Sequence, residues 1–334
     1  MLKYLTQQNA DDIGFIKNIL FNLKLSHLVE EPVRLIGGSK SFAYQVNDYV
    51  VRFPKAEIIW QSQQQEAQIS KLLQANLPDK WKNKVTNVIC CSTSEYPFAY
   101  HKMIKGKICD NIRGETDYST CYDNLSEKQK KLLAQDIAEF LVVLHSIPTD
   151  ITNPMAENWN FTNKADFDYE LCKSVLLKYS NNKVNLDDFK SEIANDDIVF
   201  AHNDMSGSNI LLDEKQEHVL QGVLDFGNAG NMPRINEFFP YYKINRHLAR
   251  QIIGAYNNVS DIKIKQSQVD YTVLVYLGDM IYNQEKQGKA APKFALTILN
   301  GFIKDLYGDN LNASINTTSR KYYSRSQGSR YRYR

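Results

Sequence analysis

Ala201-His-Asn-Asp-Met-Ser-Gly-Ser-Asn-Ile-Leu-Leu212, followed by Leu224-Asp-Phe-Gly227, is the stretch from which the rest of this chain can be read. His202, Asp204 and Asn209 fall in the spacing H-x-D-x-x-x-x-N. Asp225-Phe226-Gly227 follows, after two apolar runs that an Asp213-Glu-Lys turn would join as a strand pair. With each residue type at about one in twenty, six such positions arise together by chance with odds on the order of one in ten thousand, so they are treated as one unit. The residue types suit phosphoryl transfer from a nucleotide. That reaction needs a carboxylate to orient an acceptor hydroxyl and take its proton, the role read here for Asp204. It also needs hard oxygen ligands for Mg²⁺, read as the Asn209 amide and the Asp225 carboxylate. The plain alternative makes Asp204 a helix cap, Asn209 a turn residue and Asp225-Phe-Gly a β-turn. The combined order and spacing weigh against it.

Upstream of about residue 105 the texture is that of strands, and downstream mainly that of helices. Segments 32–36, 42–46 and 49–53 are short β-branched or aromatic runs, with Gly37-Gly38 and Asn47-Asp48 as turn signals between them. They predict three consecutive antiparallel strands. A Gln-rich helix of about 17 residues ending near Ala75 comes next, and apolar runs at 85–91 and 98–103 would complete a five-stranded sheet. Further on, Ser126 is placed to cap a helix with Gln129 at the capping-box position, and Leu133, Ile137, Phe140, Leu141 and Leu144 form one apolar stripe. Pro148 ends that helix. Strand signals return at 198–200, 209–212 and 219–224, then helices run to about residue 310.

Length and composition exclude several classes. A chain of 334 residues, 43% hydrophobic and 23% charged, is globular and long enough for roughly two domains. No apolar run approaches the roughly 20 residues that span a bilayer, and the first residues lack an apolar signal core. A cytoplasmic protein without a membrane partner is expected. The five cysteines are odd in number and show neither a C-x-x-C pair nor zinc spacing, so they are read as reduced thiols. The net charge of +2 conceals six basic residues and no acid in 311–334, which leaves −4 on residues 1–310. A mildly acidic body argues against a nucleic-acid partner. The Ser-, Tyr- and Arg-rich segment 311–334 is expected to be a disordered basic tail.

At the residues quoted the sequence resembles the aminoglycoside phosphotransferases and related small-molecule kinases, particularly the aminoglycoside 2''-phosphotransferases. The resemblance runs over about residues 30–245. It is carried by Val51-Arg-Phe-Pro-Lys55, the helix end at 138–146, His202-Asn-Asp204, Asn209-Ile-Leu211 and Val223-Leu-Asp-Phe-Gly227. Protein kinases fit less well, because they usually have Arg where Asn203 stands and no Ala-Pro-Glu run follows Asp225. The resemblance implies an α+β, bilobal protein-kinase-like fold. Residues 1–104 would form a nucleotide-binding lobe of five antiparallel strands and a helix, and 105–310 a larger, mainly helical lobe with the catalytic loop and acceptor site. It further implies Mg²⁺, ATP or GTP as phosphate donor, and a small-molecule hydroxyl as acceptor, with a monomer as the expected state.

In that frame Gly37, Gly38, Ser39 and Ser41 would cover the phosphates with backbone N–H groups, or simply make a turn. The strand cation falls at Arg52, where many kinases have Lys. It keeps the charge but offers a planar fork in place of a point charge. Lys55 is a second candidate beyond Pro54, and Glu66 is the natural partner for Arg52. Backbone groups from Tyr100 to Met103 would face the purine, with Met103 and Ile104 against the base, or else belong to a core strand.

After Asp-Phe-Gly the family usually continues Gly-Asp-Pro-x-x-Asp, whose second Asp buttresses the catalytic loop. Here Gly230-Asn-Met-Pro233 is followed by Arg234-Ile-Asn-Glu237, so Asn236 or Glu237 takes that place. The 2''-phosphotransferases often have an acidic run shortly afterwards. This chain has Lys243, Arg246, His247 and Arg250, which counts against a pocket for a cationic amino sugar. Asp166, Asp168, Glu170, Asp279 and Glu285 are other acids, of the kind that commonly lie on exposed helix faces. The acceptor is thus an aminoglycoside, as in antibiotic resistance, another amino alcohol or sugar, or an anionic molecule that uses the basic cluster. Two further readings stand beside the kinase: a nucleotide-binding regulator with weakened catalysis, suggested by Arg52 and Asn236, and an interaction protein acting through its Tyr/Arg tail.

Overall fold

The computed structural model describes residues 3–22, 31–35, 40–91, 95–109, 121–149, 168–189, 197–213 and 219–308. The Gly37-Gly38-Ser39 turn, Asp166 and the tail at 311–334 lie outside these residues. The chain divides into two compact units, Met1–Trp159 with Asn195–Ile264, and Asn160–Ala194 with Lys265–Arg334. Among the described residues no helix is long and apolar enough to cross a membrane.

The first unit begins with α1 (Gln7–Asp11), α2 (Ile13–Asn22), β1 (Val33–Leu35), β2 (Ser41–Val46) and β3 (Tyr49–Pro54). α3 (Glu57–Asn76) and the short α4 (Asp79–Lys82) lead to β4 (Ile89–Cys91) and β5 (Phe98–Lys102). These strands form one antiparallel five-stranded sheet in the order β1-β2-β3-β5-β4. Asn47-Asp48 makes a two-residue hairpin in which Val46 pairs with Tyr49. Asn47 has φ 54°, the left-handed region that Asn tolerates better than most residues. Alternation along β2 sends Phe42, Tyr44 and Val46 to the same core as Val51, Phe53, Phe98 and Tyr100, where Ala10, Ile16 and Leu20 join them. Each such side chain contributes roughly 1.5–3 kcal/mol by leaving water.

Two details differ from the sequence reading. The apolar run at 85–91 supplies only Ile89–Cys91 to the sheet, because Val85 bridges Val223 in parallel instead. Pro54 remains in β3, opposite Ser41 at the strand's last position, where the loss of one donor is tolerated.

The chain continues through β6 (Lys107–Ile108), α5 (Glu127–His145) and α6 (Tyr169–Tyr179), the last belonging to the second unit. Ser126 and Gln129 form the expected reciprocal capping box at the start of α5. Next come β7 (Ile198–Ala201), β8 (Ile210–Leu212), β9 (Leu220–Val223), β10 (Gly230–Pro233), α7 (Phe239–Ile244) and α8 (Arg246–Val259). β6 and β9 flank β8, while β7 pairs with β10. These pairings place the two halves of the diagnostic motif at the ends of strands, and the apolar stripe of α5 packs with α8 behind them.

In the second unit α6 lies on α9 (Gln266–Lys286), with α10 (Lys293–Tyr307) beyond. Gly278 permits the close approach: a Cβ there would come within 2.9 Å of Cys172 Cβ. Glu285 of α9 accepts from Lys178 Nζ at 2.6 Å and from the Tyr179 hydroxyl at 2.7 Å, linking it to the end of α6.

Candidate active site

β7 ends at Ala201 and hands over to His202-Asn203-Asp204. His202 is fully buried, its ring centroid 4.4 Å from that of Phe226. Its Nε2 lies 2.8 Å from the Leu224 carbonyl, and its Nδ1 is 3.2 Å from the Asp204 backbone N–H. One ring nitrogen must donate and the other accept, which fixes a neutral imidazole, and burial pushes its pKa down in keeping with this. His202 therefore fastens the loop carrying Asp204 to the strand end carrying Asp225. Asn203 has φ 70°, and its amide donates to the Asn228 carbonyl at 2.8 Å. Asn209 closes the turn Gly207–Asn209, where its Nδ2 donates to the Asp204 carbonyl at 2.8 Å. That bond commits the amide nitrogen and leaves the oxygen as the donor for a cation.

Asp225 is itself left-handed, φ 58°, and opens a short turn whose Gly227 lies close to Ser62 of α3. The same helix carries Glu66, 97% withdrawn from solvent, which binds Arg52 of β3 at 2.6 Å. Burial pushes the Glu66 pKa up and Arg52 pulls it back, while the charges of Asp225 and Lys40 also reach it. Arg52, Glu66, Lys40 and Asp225 thus share one electrostatic neighbourhood. The Arg52 Nε is buried and has no hydrogen-bond partner among the described residues.

Asp204 is partly buried, which raises its carboxyl pKa, and Asp225 adds to the rise. His202, Lys243 and the Ser206 hydroxyl oppose it. Behind the loop, Glu237 is completely buried, and its Oε2 accepts the Asn203 backbone N–H at 3.1 Å. Burial pushes its pKa up to about 8, against the pull of the Asn203 and His202 N–H groups. Of the two candidates for the buttressing position, Glu237 is the one that supports the loop. Asn236 lies instead in the turn Arg234–Phe238, where its carbonyl accepts from Phe239.

Among the described residues no three His, Cys, Asp or Glu side chains gather as a metal centre. Asn209 and Asp225 still fit Mg²⁺, a hard cation that commonly takes one or two protein oxygens and completes its shell with water and phosphate.

The phosphotransferase enzyme family, APH, matches residues 32–258. The chain belongs to that family. Solved structures of similar fold include the GDP and kanamycin complex of an APH(2'') enzyme, with TM-score 0.59, 16% identity, and 89% of this chain and 99% of that one covered. The ADP-bound aminoglycoside phosphotransferase APH(2'')-Ib gives 0.55 and 20%, covering 86% and 96%. A macrolide 2'-phosphotransferase type I gives 0.55 and 12%, covering 90% and 99%. These likenesses agree with the bilobal kinase-like fold.

Other residues singled out in this phosphotransferase are placed less centrally. Ser41 begins β2, and its hydroxyl accepts from Gln63 Nε2 at 3.1 Å, beside the Arg52–Glu66 pair. Lys55 extends over the Phe42 ring, with its Nζ 4.7 Å from the ring centroid. Tyr100 lies on β5 between β3 and β4, with its ring in the sheet's apolar core. Met103 spends its backbone N–H on the Asp48 carbonyl at 2.6 Å, so that group is not available to a purine. Sequence reasoning did not assign roles to His202 as the tie between the motif's halves, or to Ser206 and Lys243 as neighbours of Asp204.

Proposed function

We propose that this phosphotransferase moves the γ-phosphate of ATP or GTP to a hydroxyl of a small molecule. The observation that carries the reading is the tie made by His202, which holds Asp204 and Asn209 on one side and Asp225 on the other in a single hydrogen-bonded unit. Asp204 receives the acceptor's proton as the hydroxyl oxygen attacks phosphorus and the nucleoside diphosphate leaves. Arg52, held by Glu66, binds phosphate oxygens. Asn209 and Asp225 would hold Mg²⁺, which would offset negative charge on the phosphates. Residues 1–104 are read as the nucleotide lobe and 105–310 as the part bearing the catalytic loop and acceptor site. The GDP, ADP and ATP complexes of similar structures support a nucleotide donor, and the kanamycin and streptomycin complexes make amino sugars the first series to test.

Purified protein with Mg²⁺ and ATP or GTP, tested against aminoglycosides and hydroxylated metabolites with products weighed by mass spectrometry, examines this directly. Asp204→Asn should lower turnover by roughly 10²–10⁴-fold while leaving the fold intact. A variant that works as fast as wild type would remove Asp204 from the mechanism.

A further inference from the structure

Gln63 of α3 is a buried amide whose hydrogen bonding does not balance. Its Nε2 donates to the Ser41 hydroxyl at 3.1 Å and lies 3.5 Å from the Arg52 carbonyl. Its Oε1 is buried and has no hydrogen-bond partner among the described residues. An unpaired buried carbonyl oxygen disfavours the fold, so stability does not account for an amide at this position. Its surroundings point to another use. Gln63 stands three residues before Glu66 on α3, on the helix face that holds Arg52. Phe42, Tyr44 and Val46 of β2 turn to the apolar core, so Ser41 and Ala43 turn the other way, and Ala43 pairs with Arg52. Ser41, Arg52 and Gln63 thus meet on one side of the sheet.

The Arg52 carbonyl can only accept a hydrogen bond, so it fixes the amide with its nitrogen toward β3 and β2. That nitrogen can only donate. The Ser41 oxygen is therefore the acceptor in their bond, and the hydroxyl keeps its own proton to give elsewhere. An amide turned the other way would take that proton for itself. We propose that Gln63 is a positioning residue for the phosphate donor, which by donating to Ser41 leaves the Ser41 hydroxyl proton free for a phosphate oxygen of the nucleotide. The proposal rests on the kinase reading above and adds to it a residue that acts on the nucleotide through another.

The test measures dissociation constants for ATP, GTP, adenosine and guanosine by calorimetry at saturating Mg²⁺, with thermal melts alongside. Wild type, Gln63→Leu, Ser41→Ala and the double variant are compared. Ser41→Ala should weaken the triphosphate that wild type binds by about tenfold, as expected for losing a hydrogen bond to a charged group. Gln63→Leu should weaken it by about threefold to tenfold, and the double variant should bind no more weakly than Ser41→Ala, because Gln63 acts through that hydroxyl. Nucleoside affinity should not change, and Gln63→Leu should melt no lower than wild type. Unchanged triphosphate affinity in Gln63→Leu overturns the proposal, as does a double variant whose loss is the product of the two single losses. An equal loss for the nucleosides, or a Gln63→Leu that melts well below wild type, also overturns it by making the amide a structural support. A wild type that binds neither triphosphate fails the kinase reading itself, whereas one that binds but is indifferent to Gln63→Leu fails this proposal alone.

Discussion

Replacing Glu237 with Gln should change how the protein's stability depends on pH. In the folded state Glu237 is fully buried, and its pKa is pushed from 4.5 up to about 8. Between those values the folded protein holds a proton that the unfolded chain has released. Stability from this group is fully present below pH 4.5 and is lost as pH rises through about 8, at about 1.4 kcal/mol per pH unit. From pH 5 to pH 8 the loss is about 4 kcal/mol. Gln keeps the volume and an oxygen to accept the Asn203 N–H, but does not titrate. The melting temperature of Glu237→Gln relative to wild type should therefore rise with pH, by roughly 8 °C over that interval at about 2 °C per kcal/mol. Thermal melts of both proteins at half-unit pH steps measure it. A difference that stays flat from pH 5 to 8 would refute the argument, since it would mean that Glu237 is ionised in the fold throughout.

Arg52→Met should cost roughly 3–5 kcal/mol, because it leaves Glu66 buried without its partner, whereas Arg52→Met with Glu66→Met should recover much of that stability. Denaturant melts of the single and double variants check this, and both should lose nucleotide-dependent turnover. Asn203→Ala should be less stable than Asn203→Gly by about 1–2 kcal/mol, since both lose the bond to the Asn228 carbonyl but only Ala is strained at φ 70°. Equal melting of the two variants would contradict the backbone argument.

The parts legible in the sequence are those where chemistry or local periodicity restricts residue type. His202, Asp204, Asn209 and Asp225 sit within one loop and one strand end, so their spacing already encodes their proximity. The Arg52–Glu66 pair was within reach because a strand and the helix after it bring positions 14 apart in sequence to one face. Tyr100 was not legible in the same way. An aromatic residue in a strand suits a core and a nucleotide edge equally, and the burial of its ring depends on a non-local pairing that sets β5 between β3 and β4. Glu237 and Asn236 are neighbours, and only the turn from Arg234 to Phe238 decides which side chain reaches the catalytic loop. Lys243 is the clearest case. Its charge could be counted as one of several basic residues after Asp-Phe-Gly, but its effect depends on where α7 is pinned, and that is set by Tyr241 against Met205. Counting charge weakened the case for a polycationic acceptor. The structure adds that the charge of Lys243 acts on the Asp204 carboxyl, opposing the rise in pKa that burial causes.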